Sequence, residues 1–165
     1  MYPPPYPGQQ PPQQIDFQKI ISSFTTADWL IIGGALVTFI ATFFPWYSVS
    51  YTFLGSTSSA SADGWQSWPG VLTGLISLAT LVWIGIRVGG VKVELPLTDR
   101  VLYLTVGAVV AALSLLYLAQ TPSLGLNISG FSSGPSIGLF LSVLAGIAIA
   151  VGGYLKPNTP TTPTP

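Results

Sequence analysis

The chain is 165 residues long, 49% hydrophobic and only 6% charged, and its five basic and five acidic residues cancel. A soluble domain carries about 25% charged residues, so this set cannot build a water-facing surface; the composition belongs to a membrane protein. With no Cys there are no disulfides or thiolate metal sites, with no His the usual base near neutral pH is missing, and no basic patch points to nucleic acid.

Residues 1–14, MYPPPYPGQQPPQQ, are mostly Pro, Gln and Tyr without charge. Such a segment cannot bury a core and favours extended, polyproline-like conformers. It reads as a disordered tail, as do residues 156–165, KPNTPTTPTP. Pro3-Pro4-Pro5-Tyr6 matches the P-P-x-Y ligand pattern of WW-type domains, against the plainer reading of a solvating tail. Over residues 15–24, Phe17, Ile20, Ile21 and Phe24 recur at i, i+3, i+4 and i+7. That is the spacing of a short amphipathic helix lying in a membrane interface.

Four apolar segments follow, at about 29–45, 68–87, 101–119 and 135–155. Each is near the roughly 20 residues needed to cross a bilayer core, and none has an ionisable side chain in its interior. Thr25 and Asp28 have capping-box spacing before the first. Thr98 or Asp99 caps the third. Pro135 fits the first turn of the fourth, where its missing N–H costs nothing. Ala60-Ser61-Ala62 offers a small-residue cleavage pattern, but it lies too far past the first apolar run for a signal peptide.

The stretch FFPWYSVSYTF joins helix to strand. Pro45 discourages helix at Phe44, and from Tyr47 the residues alternate with period two, which predicts a strand. Gly55-Ser56 turns it, and residues 56–63 return. The second outer loop also alternates, at Leu124, Leu126 and Ile128. The predicted fold is therefore an all-α, four-transmembrane-helix bundle with a small extracytoplasmic sheet from the two outer loops. The inner loop alternates at Val91, Val93, Leu95 and Leu97 and is expected to run extended, with Pro96 limiting it to an edge.

With four spans, Lys19, Arg87, Lys92, Arg100 and Lys156 all fall on or beside one side. The positive-inside rule places that side, with both tails, in the cytoplasm. The chain is expected in the plasma membrane.

Trp29, Trp46, Tyr47, Trp68, Tyr103 and Tyr154 are candidates for an interfacial aromatic belt. Tyr51, Phe53 and Trp65 are read either as partner anchors, since aromatics dominate interface hot spots, or as hairpin core. Gly70, Gly74, Gly107, Ala111, Ser142, Gly146 and Ala150 recur at four-residue spacing and let helices approach closely. They serve packing within the bundle or a dimerisation face. Asn127-Ile128-Ser129 is a glycosylation sequon. The acidic residues Asp16, Asp28, Asp63, Glu94 and Asp99 are scattered and unpaired in sequence. No catalytic constellation, cofactor motif or metal-ligand pattern emerges. The polar residues deep in the spans are hydroxyls only: Thr38, Thr42, Thr73, Ser77, Thr80, Thr105, Ser114 and Ser142.

The Pro/Tyr/Gln tail, "TTADWLIIGG" before the first span, "FPWYSVS" at its outer end and "DGWQSWPG" before the second resemble small, mostly uncharacterised four-helix membrane proteins of actinobacteria. The resemblance covers about residues 25–155 and implies a plasma-membrane location and no established activity. Four spans with an outer hairpin also resemble claudins. This chain departs from them, with no paired Cys and no W-G-L-W pattern, and claudin function is not carried over. The expected role is non-enzymatic: an accessory, scaffold or interaction subunit that contacts the bilayer and either a membrane-protein partner or its own copies. The alternative is an oligomeric channel or small-solute transporter with a hydroxyl-lined path.

Overall fold

The computed structural model describes Gln18 and residues 22–90, 97–121 and 131–157. The 1–14 tail with Pro3–Tyr6, most of the 15–24 helix, the inner-loop residues 91–96, the outer-loop residues 122–130 with the sequon, and the tail from 158 onward lie outside the described residues.

The described residues are mostly helical and include four complete helices and a three-stranded sheet: α1 (Thr26–Ala41), β1 (Pro45–Phe53), β2 (Ser56–Asp63), a short 3-10 turn (Gly64–Gln66), α2 (Trp68–Val88), α3 (Asp99–Gln120), β3 (Phe131–Pro135) and α4 (Ile137–Leu155). Three helices, α2, α3 and α4, are long and apolar enough to cross a membrane.

Local chemistry sets the helix starts. The Thr25 hydroxyl accepts from the Asp28 amide while the Asp28 carboxylate accepts from the Thr25 amide, closing a capping box. Ser67 caps α2, with Pro69 in the first turn, and Thr98 caps α3.

Two expected boundaries move. α1 ends at Ala41 rather than near 45, because the chain tightens through i→i−3 bonds from Phe43 to Ile40 and from Phe44 to Ala41, and Pro45 already belongs to β1. At 16 residues α1 is about 24 Å long, at 1.5 Å per residue. Pro135 is not in the first turn of α4. It ends β3, and the helix starts two residues later, at Ile137.

The sheet has the order β2-β1-β3, both pairings antiparallel. It unites the connection after α1 with the connection after α3, as expected, through Phe131–Pro135; the alternation at Leu124, Leu126 and Ile128 lies outside the described residues. A two-residue turn, Leu54-Gly55, closes the β1–β2 hairpin with φ of 48° and 82°. These are the positive angles of the turn that matches strand twist. Directly paired residues share a face. Tyr47, Val49, Tyr51 and Phe53 therefore lie with Ala62, Ala60, Ser58, Ser56, Phe131, Ser133 and Pro135, while Ser48, Ser50 and Thr52 lie with Ser61, Ser59, Thr57 and Ser132. The hydroxyl face is cross-linked by Ser50–Ser132 (3.1 Å) and Thr52–Thr57 (3.0 Å) hydrogen bonds.

The bundle is packed on α4. Gly107 of α3 meets the backbone of Gly146 and Ala150, and Gly34 of α1 meets Ala145 and Ile149. Small side chains there let the helices approach closely enough for dispersion to hold them. Thr, Ser, Gly and Ala residues fill much of the interior beside Ile31, Val110, Leu139 and Ile149, whereas Leu36, Ile40, Leu75, Leu78, Val82, Leu115, Phe140, Leu144 and Ile147 point outward. This inverts the pattern of a water-soluble bundle. The sheet stands at one end. At the other end, Asp28 at the start of α1 pairs with Lys156 after α4, and Arg87 at the end of α2 pairs with Asp99 at the start of α3. Consecutive helices therefore run in alternating directions.

Candidate functional site

Two surfaces stand out, one at each end of the bundle. The first is the hairpin. Trp46 anchors its base, and the reason is a β-bulge. Pro45 pairs with Asp63 and Tyr47 with Ala62, so Trp46 has no partner across the ladder and its side chain is re-aimed. The indole is 0% exposed. Its Nε1 donates to the Ala41 carbonyl at 3.0 Å, satisfying an end-of-helix acceptor. The ring meets Tyr117 edge-on at 5.3 Å and lies against Gly64 and Gly138. Trp46 is thus a core residue joining α1, α3, α4 and the sheet, and not part of an interfacial belt. A bulge has no signature in hydrophobic alternation, which is why sequence reasoning misplaced it.

Beyond that base the hairpin is open to its surroundings. Tyr51 is exposed, Phe53 is 70% exposed and Leu54 is 89% exposed. Trp65 differs from the other two proposed anchors. It is half-buried, its ring is 5.5 Å from that of Phe43, and it lies against Gly74. The outward apolar tip is therefore Tyr51, Phe53 and Leu54, and sequence reasoning missed Leu54. The signal was available in the turn: a Leu stands before Gly55 where Asn or Asp is favoured.

The remaining belt candidates divide. Trp29, Trp68 and Tyr154 are exposed, and Tyr47 is half-buried in β1. Tyr103 is 5% exposed and belongs to the interior. The small-residue positions divide too. Gly107, Ala111, Gly146 and Ala150 form the seam between α3 and α4, and Ser142 is buried with its hydroxyl donating to Gly138. Gly70 instead abuts the backbone of Gly64, and Gly74 abuts Trp65 and Thr42. Gly34, Gly138, Gly152 and Gly153 carry equally tight contacts that the four-residue spacing did not single out.

The second surface is a cavity of about 300 Å³ at the opposite end. Two of the five acids scattered in sequence, Asp28 and Asp99, converge there. Asp28 and Lys156 pair on one side and Arg87 and Asp99 on the other, with Phe24, Ile31, Ile84 and Tyr103 supplying apolar wall. Spacing hides this cluster, because each residue comes from the end of a different helix. Burial opposes charge on Asp28, but hydrogen bonds from Lys156 and Thr25 and the Lys156 charge outweigh it and hold the carboxyl below its ordinary value. The Arg87 guanidinium also lies 5.4 Å over the Trp83 ring, and Arg100 lies 4.7 Å over Tyr154. Asp99 Oδ1 is buried and has no hydrogen-bond partner among the described residues.

Comparison with family models, with curated proteins and with solved structures finds no match for this chain.

Proposed function

We propose that this is a multi-pass protein of the plasma membrane, with four membrane-crossing helices, an extracytoplasmic sheet and cytoplasmic tails. We propose further that it is a non-enzymatic accessory or scaffold subunit, engaging a membrane-protein partner through the hairpin tip. Insertion is supported by the outward-facing Leu, Ile, Val and Phe residues of all four helices, an apolar surface far larger than a soluble monomer presents. α1 is the shortest helix, but Thr42–Phe44 extend its apolar run in tight turns toward the required length. Orientation is supported by Arg87, Arg100 and Lys156 lying at the end remote from the sheet.

The observation that carries the interaction reading is Leu54. A large apolar side chain with φ of 48° stands at the outermost turn, 89% exposed and next to Phe53. The left-handed region costs an L-residue roughly 1–2 kcal/mol, and an exposed Leu recovers nothing from water. A bilayer-remote partner that buries Tyr51, Phe53 and Leu54 offsets both costs. Asp28 and Asp99 are ion-paired with Lys156 and Arg87, which lends no support to an acid–base role for this pair of carboxylates. Most of the hydroxyls lend no support to the channel alternative, although Thr38 Oγ1 and Thr73 Oγ1 are buried without a hydrogen-bond partner among the described residues. All of those named in the spans except Thr105 are buried, and Ser77, Thr80, Ser114 and Ser142 donate to their own helix backbone.

The test is a photo-crosslinking residue at position 53 in native membranes. The reading expects one companion protein, at fixed stoichiometry, that disappears with Tyr51→Ser and Leu54→Asn together. A crosslink only to lipid, or one unchanged by those substitutions, would remove it.

A further inference from the structure

The ionic cavity does not end at its polar walls. Tyr103 lines it and also lines a second hollow of about 300 Å³, walled by Ile76, Ala79, Thr80, Trp83, Leu102 and Val106. This second hollow is an apolar groove on the outer surface between α2 and α3. No glycine contact draws α2 onto α3 as Gly107 and Gly34 draw α3 and α1 onto α4. The seam opens for that reason. Arg87, which pairs with Asp99 in the cavity, stacks over Trp83 of the groove, so the two hollows share a wall on each helix.

We propose that the cavity and groove together form one binding site for a phospholipid with a primary-amine headgroup, phosphoethanolamine in the cavity and one acyl chain in the groove. The inference rests on the membrane reading above. The fit follows from charge and polarity. The cavity is small, at the low end of the roughly 300–1,000 Å³ of ligand sites, and suits a headgroup rather than a whole lipid. Its two cations and two carboxylates sum to zero, which favours a zwitterion over an anion. Arg87 and Lys156 are donors for a phosphate, and Arg matches phosphate oxygens in pairs. The Asp99 and Asp28 carboxylates, 22% and 23% exposed at the side chain, are acceptors for an ammonium. A quaternary ammonium has no N–H to donate to them. The groove then receives a chain that descends beside Trp83 and Ile76, about 10 Å along α2 at 1.5 Å per residue.

Native mass spectrometry of the full chain in dodecyl maltoside tests this, with dioleoyl phosphatidylethanolamine, phosphatidylcholine and phosphatidylglycerol supplied in turn. The expected result is one phosphatidylethanolamine retained per chain, at least about fivefold above either other lipid. Asp99→Asn should reduce that retention to the phosphatidylcholine level. Because Asp99→Asn also disturbs the Arg87 pair, Ala79→Phe provides a second variant; it fills the groove from an exposed position and should abolish retention with helicity unchanged. Equal retention of the three lipids, full retention by Ala79→Phe, or equal binding of soluble glycerophosphoethanolamine would overturn the proposal. Alkaline carbonate separates the two failures. A chain released from membranes by carbonate defeats the membrane reading, whereas a resistant chain without lipid preference defeats only this site.

Discussion

Replacing Trp46 with alanine should loosen the sheet and bundle together. The indole is wholly buried, so its removal leaves a cavity between Ala41, Tyr117 and Gly138. Trp→Ala changes in cores cost about 3–5 kcal/mol. The edge-on pair with Tyr117 contributes about 0.5–1.5 kcal/mol within that range. The Ala41 carbonyl loses the indole donor but keeps the Phe44 amide, so this lost bond adds only about 0.5–1.5 kcal/mol. These terms overlap, and a total of about 5 kcal/mol, more than a thousandfold in the unfolding constant, is expected. Trp46→Phe keeps a ring against Tyr117 and removes only the donor and part of the volume, so about 2 kcal/mol is expected. Trp29→Ala is the control, because Trp29 is 53% exposed and its ring meets Phe24 edge-on; it should cost under about 1 kcal/mol. The assay is SDS titration of the chain in dodecyl maltoside, followed by far-ultraviolet circular dichroism, which does not depend on the removed fluorophore. Equal shifts for Trp46→Ala and Trp29→Ala would refute the placement of Trp46 as a core residue.

Three further outcomes are expected. Gly107→Val drives a side chain into the Ala150 backbone and should cost at least about 1–3 kcal/mol in the same titration, whereas Gly33→Ala, with open space around it, should be neutral or stabilising by up to about 1 kcal/mol. Leu54→Asn places Asn-Gly in the turn and should slow hydrogen exchange of the β1–β2 amides about threefold while weakening the crosslink at position 53, so stability and interaction move in opposite directions. Asp28 is held below its ordinary value in the folded chain, so its contribution is present above the unfolded carboxyl value of about 4 and is lost as pH falls through the lower folded value. An SDS midpoint that drops on acidification toward pH 3, and does so less in Asp28→Asn, is expected.

Much of this architecture was legible because it rests on local rules. Four apolar runs, the Thr25–Asp28 capping box and the period-two alternation from Tyr47 each depend on neighbours in sequence, and each has its counterpart in the helices and sheet. Trp46, Tyr103 and the polar cavity are missed for long-range reasons. Whether Trp46 and Tyr103 face lipid or interior depends on a bulge and on which helix lies opposite, and neither leaves a mark in composition. The polar cavity depends on four helix ends meeting, and Asp28 and Lys156 are separated by nearly the whole described chain. Pro135 was misread for another reason. Its missing N–H is tolerated at a strand end as well as in a first helical turn, so the residue does not choose between them.

The proposed topology puts the sheet outside the membrane and the ionic end inside. The chain has no native Cys, so single substitutions report position without background. Ser58→Cys in β2 and Ser23→Cys before α1 would be labelled with a membrane-impermeant maleimide in intact cells and again after permeabilisation. The account predicts that Ser58→Cys is labelled in intact cells and Ser23→Cys only after permeabilisation. Labelling of Ser23→Cys in intact cells, or protection of Ser58→Cys until the membrane is opened, would contradict it.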